Sequence, residues 1–149
     1  MASYQGYTDN AWKGDKYEAT HDLPLKEIAK RIKKEALAKY GDKIKLSVKT
    51  DHFANGCSID ATITGYNGEL FSEAWREYKA SGQNIFFDAW LRDSKYSSQS
   101  PRHSEELQAI LKDIEAIGNQ YNRSDCDGMI DYFDVNFYWN VGIDWQLEK

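Results

Sequence analysis

Cysteine and histidine are scarce in this chain, and it has no long apolar run and no glycine-rich fingerprint. Each absence removes a class of function. The two cysteines, Cys57 and Cys126, lie far apart and outside any C-x-x-C pair, which excludes a zinc knuckle and a disulfide framework. Cys57 falls on the apolar face of a predicted strand, where a thiol acts as a small hydrophobe. No apolar run reaches membrane-spanning length and the N-terminus lacks a signal-peptide core. The expectation is a soluble, cytoplasmic protein with no membrane partner. His21, His52 and His103 sit in an arm, a hairpin loop and a pre-helix loop. None is spaced from another as metal ligands are on a helix, so each reads as a solvated loop side chain. No G-x-S-x-G, P-loop or dinucleotide motif occurs. The chain is therefore expected not to be an enzyme, with no catalytic residue, no cofactor and no metal.

What is present is one domain's worth of sequence, 149 residues with 41% hydrophobic and 14% aromatic content, enough to bury a core. The net charge of −5 is unevenly spread. Lys26 to Lys49 holds nine basic and three acidic residues, whereas Glu105 to Lys149 holds ten acidic and three basic. A basic flank and an acidic flank are implied.

Residues 1–22 show no period but carry Tyr4, Tyr7, Trp12 and Tyr17, an irregular aromatic arm before a single domain over 23–149. Asp22 is a candidate N-cap, with Pro24 in the first turn of a helix whose stripe is Leu25, Ile28, Ala29, Ile32 and Ala36. Gly41 stops it. Two alternating runs follow, Ile44-Leu46-Val48 and Cys57-Ile59-Ala61-Ile63, joined by a connector with Asn55-Gly56; they read as a β-hairpin. Leu70, Phe71, Ala74, Trp75 and Tyr78 follow a helical period up to Gly82. Residues 84–93 are open between helix and buried strand, and 95–102 read as a polar loop. Ser104 caps a last helix, with Glu105 and Glu106 in its first turn and a stripe of Leu107, Ile110, Leu111, Ile114 and Ile117.

The stretch DYFDVNFYWNVGIDW, residues 131–145, is apolar at every odd position from Phe133 to Trp145. One strand of 15 residues would run roughly 50 Å, so the parity favours a hairpin with a three-residue turn at Asn140-Val141-Gly142. The fold class expected is α+β: an antiparallel sheet of about four strands with helices packed on one face.

Three surfaces are candidates for function. Asp125, Asp127, Asp131 and Asp134 form the densest acid cluster, but an EF-hand rhythm and its closing Glu are absent, and Asp127-Gly128 reads as a turn. The first helix presents Lys26, Lys30, Lys33 and Lys34 away from its stripe, with Lys43, Lys45 and Lys49 on the strand after it. Such a patch can neutralise phosphates, and Lys30, Lys33, Lys34 and Lys45 are the nucleic-acid candidates. The even positions of the last stretch, Tyr132, Asp134, Asn136, Tyr138 and Asp144, form an acidic, tyrosine-rich row, the candidate surface for a protein partner.

Two stretches carry a family resemblance. IAKRIKKEALAKYGDKIKLSVKTDHFANGCSIDATIT and QYNRSDCDGMIDYFDVNFYWNV together resemble a small large-polyvalent-protein-associated domain. Its K-x-S-V strand is matched by Lys45-Leu46-Ser47-Val48, and its G-x-S-I strand by Gly56-Cys57-Ser58-Ile59. The resemblance covers most of residues 25–141. It implies cargo of phages, plasmids and other mobile elements, and carries over no catalytic residue. The function it implies is inhibition of a host defence nuclease, a CRISPR effector or restriction enzyme, by direct protein binding. The alternative is a DNA-binding accessory of transfer that uses the basic first helix.

Overall fold

Periods of 3.6 and of 2 alternate along the chain, and the apolar stripes of its longest elements cover one another. In a computed structural model, residues 2–3 (backbone only), 6–81, 100–126, 129 and 134–148 are described. In chain order the elements are β1 (Ala2–Ser3), β2 (Trp12–Lys13), α1 (Tyr17–Thr20), α2 (Leu25–Tyr40), β3 (Ile44–Phe53), β4 (Gly56–Tyr66), α3 (Glu73–Ser81), α4 (Glu105–Asn119), β5 (Arg123–Ser124) and β6 (Tyr138–Ile143). A 3₁₀ turn, Trp145–Glu148, follows. The uncertain stretch 84–93, most of the loop 95–102, and Gly82 lie outside the described residues.

The protein is mixed α/β with two sheets, which corrects the single four-stranded antiparallel sheet. In the larger sheet, β4 is central: it pairs antiparallel with β3 and parallel with β6. In the smaller sheet, β2 pairs antiparallel with both β1 and β5. A parallel β4–β6 pair needs a long crossover, and the chain between them carries α3 and α4. The expected turn at Asn140-Val141-Gly142 does not exist. Those residues run on through β6, beside Asp60, Ala61 and Thr62. The strand is short because Val135 bridges to Ser124 of the smaller sheet instead. Trp145, expected on the core face, is 64% exposed, since the chain leaves the sheet after Ile143.

The core lies on one face of the larger sheet. Ile44 and Leu46 from β3, and Ile59, Ala61 and Ile63 from β4, meet Ile28, Ile32 and Ala36 of α2. They also meet Leu107, Ile110, Leu111, Ile114 and Ile117 of α4. Ser104 caps α4, its hydroxyl accepting from the Leu107 N–H at 3.2 Å. The N-cap position of α2 is Pro24 rather than Asp22, and no side chain caps that end. Leu70 and Phe71 precede α3; Phe71 instead makes an isolated bridge to His103.

The aromatic arm is docked. β2 joins β5, the Gly14 N–H donates to the Asn122 carbonyl at 2.8 Å, and the Lys16 N–H donates to the Gln120 carbonyl at 2.8 Å. Buried Asn122 also holds the start of β6. Its amide nitrogen donates to the Phe137 carbonyl at 2.9 Å, and its oxygen accepts from the Phe137 N–H at 3.2 Å. Trp139 then lies on α4, its indole N–H donating to the Glu115 carbonyl at 3.1 Å. Among the described residues no helix is long and apolar enough to cross a membrane.

The α4–β6 seam requires a residue with no side chain at position 118. A Cβ on Gly118 would overlap the Trp139 indole, which is anchored by its hydrogen bond. Gly118→Ala is expected to destabilise the fold by about 1–3 kcal/mol through overpacking. The midpoint of urea unfolding measures it, and an unchanged midpoint would contradict the seam.

Candidate functional site

α2 gives Ile28, Ala29, Ile32 and Ala36 to the core, so helical geometry puts Lys26, Lys30, Lys33 and Lys34 on its open side. All four are exposed. Between α2 and β3 runs a groove of about 450 Å³ lined by Lys26, Lys30, Lys33 and Lys49, with Ala29, Val48 and Thr50 as its other walls. No carboxylate of the described residues lines it. Among the described residues, none of these lysines, nor Lys34, is in an ion pair.

The other flank of α2 is different. A cleft of about 550 Å³ there is lined by Lys16, Lys30, Arg31 and Lys34, but also by Glu27, Glu35 and Tyr121. Lys16 and the Tyr121 hydroxyl both bond to Glu35, and Arg31 lies 3.8 Å from Glu27. Burial disfavours the Glu35 carboxylate, but the bonds from Lys16 and Tyr121 outweigh it and hold its pKa below the ordinary value. Two of its four cations are thereby paired, and among the described residues Lys30 and Lys34 are not. Of the four expected lysines, Lys30 and Lys33 meet in the groove, Lys30 and Lys34 also line the partly paired cleft, and Lys45 stands apart. Lys45 lines a separate hollow of about 350 Å³ with Asp42, Lys43 and Tyr66. Lys26 and Lys49 complete the groove.

The expected acidic row is not one surface. Asp134 lies beside β5, its carboxylate accepting from Arg123 Nη2 at 2.7 Å. Asn136 is half-buried and its amide donates to the Tyr121 carbonyl at 3.4 Å. Asp144 follows the strand end and accepts from the Gln146 N–H at 3.0 Å, capping the 3₁₀ turn. Tyr132 lies outside the described residues. Of the four described members of the row, Tyr138 alone is exposed, on the outer sheet face next to Asn140, whose amide donates to Asp60 at 2.7 Å.

That outer face carries a feature the sequence reading passed over. Phe53 and Tyr138 are 45% and 38% exposed, with ring centroids 5.9 Å apart. They flank Gly56, whose φ of +151° is a conformation glycine alone adopts freely. The signal was parity: Phe53 is odd in a strand whose apolar face is even, so its ring had to point to the open side.

Asp125 and Asp134, the described members of the acid cluster, have separate tasks, and no metal-holding group of three or more ligands occurs among the described residues. Asp127 and Asp131 are not described. Asp125 is buried and accepts from the Tyr7 N–H at 2.5 Å, the Thr8 N–H at 2.7 Å and the Thr8 hydroxyl at 2.7 Å. It fastens the arm. His103, expected to be solvated, is 2% exposed. Its Nε2 lies 3.2 Å from Glu148, which also accepts from Arg102 Nη2 at 2.7 Å. This tie holds the 3₁₀ turn to the residues before α4.

No protein-family model, curated protein or solved structure matches the chain.

Burial alone would raise the Asp125 pKa, but the bonds from Thr8 and from the Tyr7 and Thr8 backbone outweigh it and hold it low. A depressed carboxylate stabilises the fold fully above its unfolded value, about 3.9, and loses that contribution as pH falls through the folded value. The urea midpoint is therefore expected to drop on acidification below about pH 4, and to drop less in Asp125→Asn. In that variant, trypsin should also cut the arm at Lys13 and Lys16 faster at neutral pH. Equal pH profiles and equal cleavage would rule out the Asp125 fastening.

Proposed function

We propose that the protein binds nucleic acid through its phosphate backbone, as an accessory protein of a mobile genetic element. The observation that carries this reading is the groove in which Lys26, Lys30, Lys33 and Lys49 converge with no carboxylate of the described residues among its walls. Cations so placed gain by displacing the counterions condensed on a polyphosphate. The chain as a whole is acidic, with a pI near 5.2, so contact depends on local charge, and no long-range field draws the polymer in. The mobile-element setting rests on the resemblance of two stretches, covering most of residues 25–141, to the polyvalent-protein-associated domain.

Four lysines engaging four phosphates give a slope of about −3.6 when log affinity for duplex DNA is plotted against log salt. Replacing Lys30, Lys33 and Lys49 together by Ala should remove about 3 from that slope. Because these side chains are exposed, stability should change by less than about 0.5 kcal/mol for each. Fluorescence anisotropy with a labelled oligonucleotide, between about 50 and 200 mM salt, reads both quantities. Binding that ignores salt, or a triple variant that binds as the parent does, would rule the groove out.

A second reading, inhibition of a defence nuclease by protein contact, is favoured by exposed Tyr138 and Asn140 beside Asp60. Its consequence is a rise in plasmid transformation of a restricting host that expresses the protein, lost in Tyr138→Lys. An equal rise with the variant would remove that face from the account.

A further inference from the structure

The groove opens along β3, and the same strand leads from it to the exposed rings. Lys49, Asp51 and Phe53 alternate onto one face of β3, opposite Asp60, Ser58 and Gly56 of β4. Tyr138 and Asn140 of β6 lie beside Ser58 and Asp60. One side of the sheet thus reads Lys49, then Asp51, then the Phe53–Tyr138 pair, over about 13 Å of strand. Two large rings at this exposure forgo burial, and their Gly56 neighbour adds no side chain between them.

We propose that the Phe53–Tyr138 pair is a stacking platform for unpaired bases, so that the ligand of the groove is single-stranded nucleic acid. This rests on the phosphate-binding reading of the groove and adds the class of strand. Phosphates meet Lys26, Lys30, Lys33 and Lys49 at the β3 edge, and the strand then crosses the outer face with a base against the rings. A π-face is common to all bases, so such contacts are tolerant of sequence. Duplex DNA keeps its bases stacked inside and offers the rings nothing. Exposed Asp51, between the two parts, repels phosphate and keeps the backbone over the lysines. Asp51→Asn accordingly tightens single-strand binding.

The test uses the full chain and three labelled probes of about 12 nucleotides: an oligothymidine, a duplex of that length, and an abasic strand. The expected result is oligothymidine binding about tenfold or more tighter than either other probe at one salt concentration. Phe53→Leu and Tyr138→Leu, which keep apolar bulk at exposed positions, each lose about tenfold on oligothymidine. They keep the parent's salt slope and its duplex affinity. Both leucine variants at parental affinity for every probe, or equal binding of abasic strand and oligothymidine, overturns the platform. That result is also the one expected if the rings serve a protein partner. If the lysine variants still lose binding there, the groove stands and only the strand class falls. No binding of any probe at low salt overturns both.

Discussion

The orientation of α2 is fixed by its apolar stripe, and the charge pattern of the molecule follows from that constraint. Ile32 and Ala36 are fully buried, and Ile28 nearly so, against β3, β4 and α4. Each such side chain contributes roughly 1.5–3 kcal/mol by leaving water, less for alanine. Rolling the helix by one residue, about 100°, would turn Lys33 toward the core in one direction, or Glu27, Arg31 and Glu35 in the other. The lysines therefore have one available side, and because β3 is a sheet edge, that side includes a groove. Burial in the core is the cause, and the basic groove is its consequence.

Charge pairing then separates the two flanks of the helix. Toward the arm, Glu27 and Glu35 answer Arg31 and Lys16, and at the far end Asp113 answers Lys39 at 2.7 Å. Toward β3 there is no such answer. Exposed pairs of this kind contribute little to stability, so their main effect is on the potential: they lower the positive charge of one flank and leave that of the other undiminished. A chain with net charge −5 can in this way hold an anion-attracting groove, with Asp125, Asp134 and Asp144 engaged elsewhere.

Legibility in the sequence followed the range of the interaction. The stripe of α4, its Ser104 cap and the β3–β4 hairpin rest on neighbours within a few residues, and local period is enough to reveal them. The last strand was harder. Alternation between Val135 and Ile143 marks one apolar face, and it reads the same in a hairpin, a parallel strand or a segment shared between two sheets. The length argument against one 15-residue strand was sound; its solution was the bridge from Val135 to Ser124, set by Asn122 and Arg123 far from the pattern itself. The same long-range pairing dispersed the acidic row, since Asp134 finds Arg123 only when β5 is in place. His103 was misread because its partner Glu148 is 45 residues away. The lysines were visible, but the split among them was not: it depends on which flank of α2 holds Glu27 and Glu35 and which holds the β3 edge.

The central claim is that the lysine groove between α2 and β3 is where a polyanion sits. Two-dimensional amide NMR of the isotope-labelled protein, titrated with an unmodified oligonucleotide at low salt, locates contact directly. The account predicts shifts concentrated at Lys26, Lys30, Lys33, Lys49 and Thr50, with the Lys16, Arg31 and Glu35 flank unmoved. Shifts centred on that opposite flank, or none at all, would contradict it.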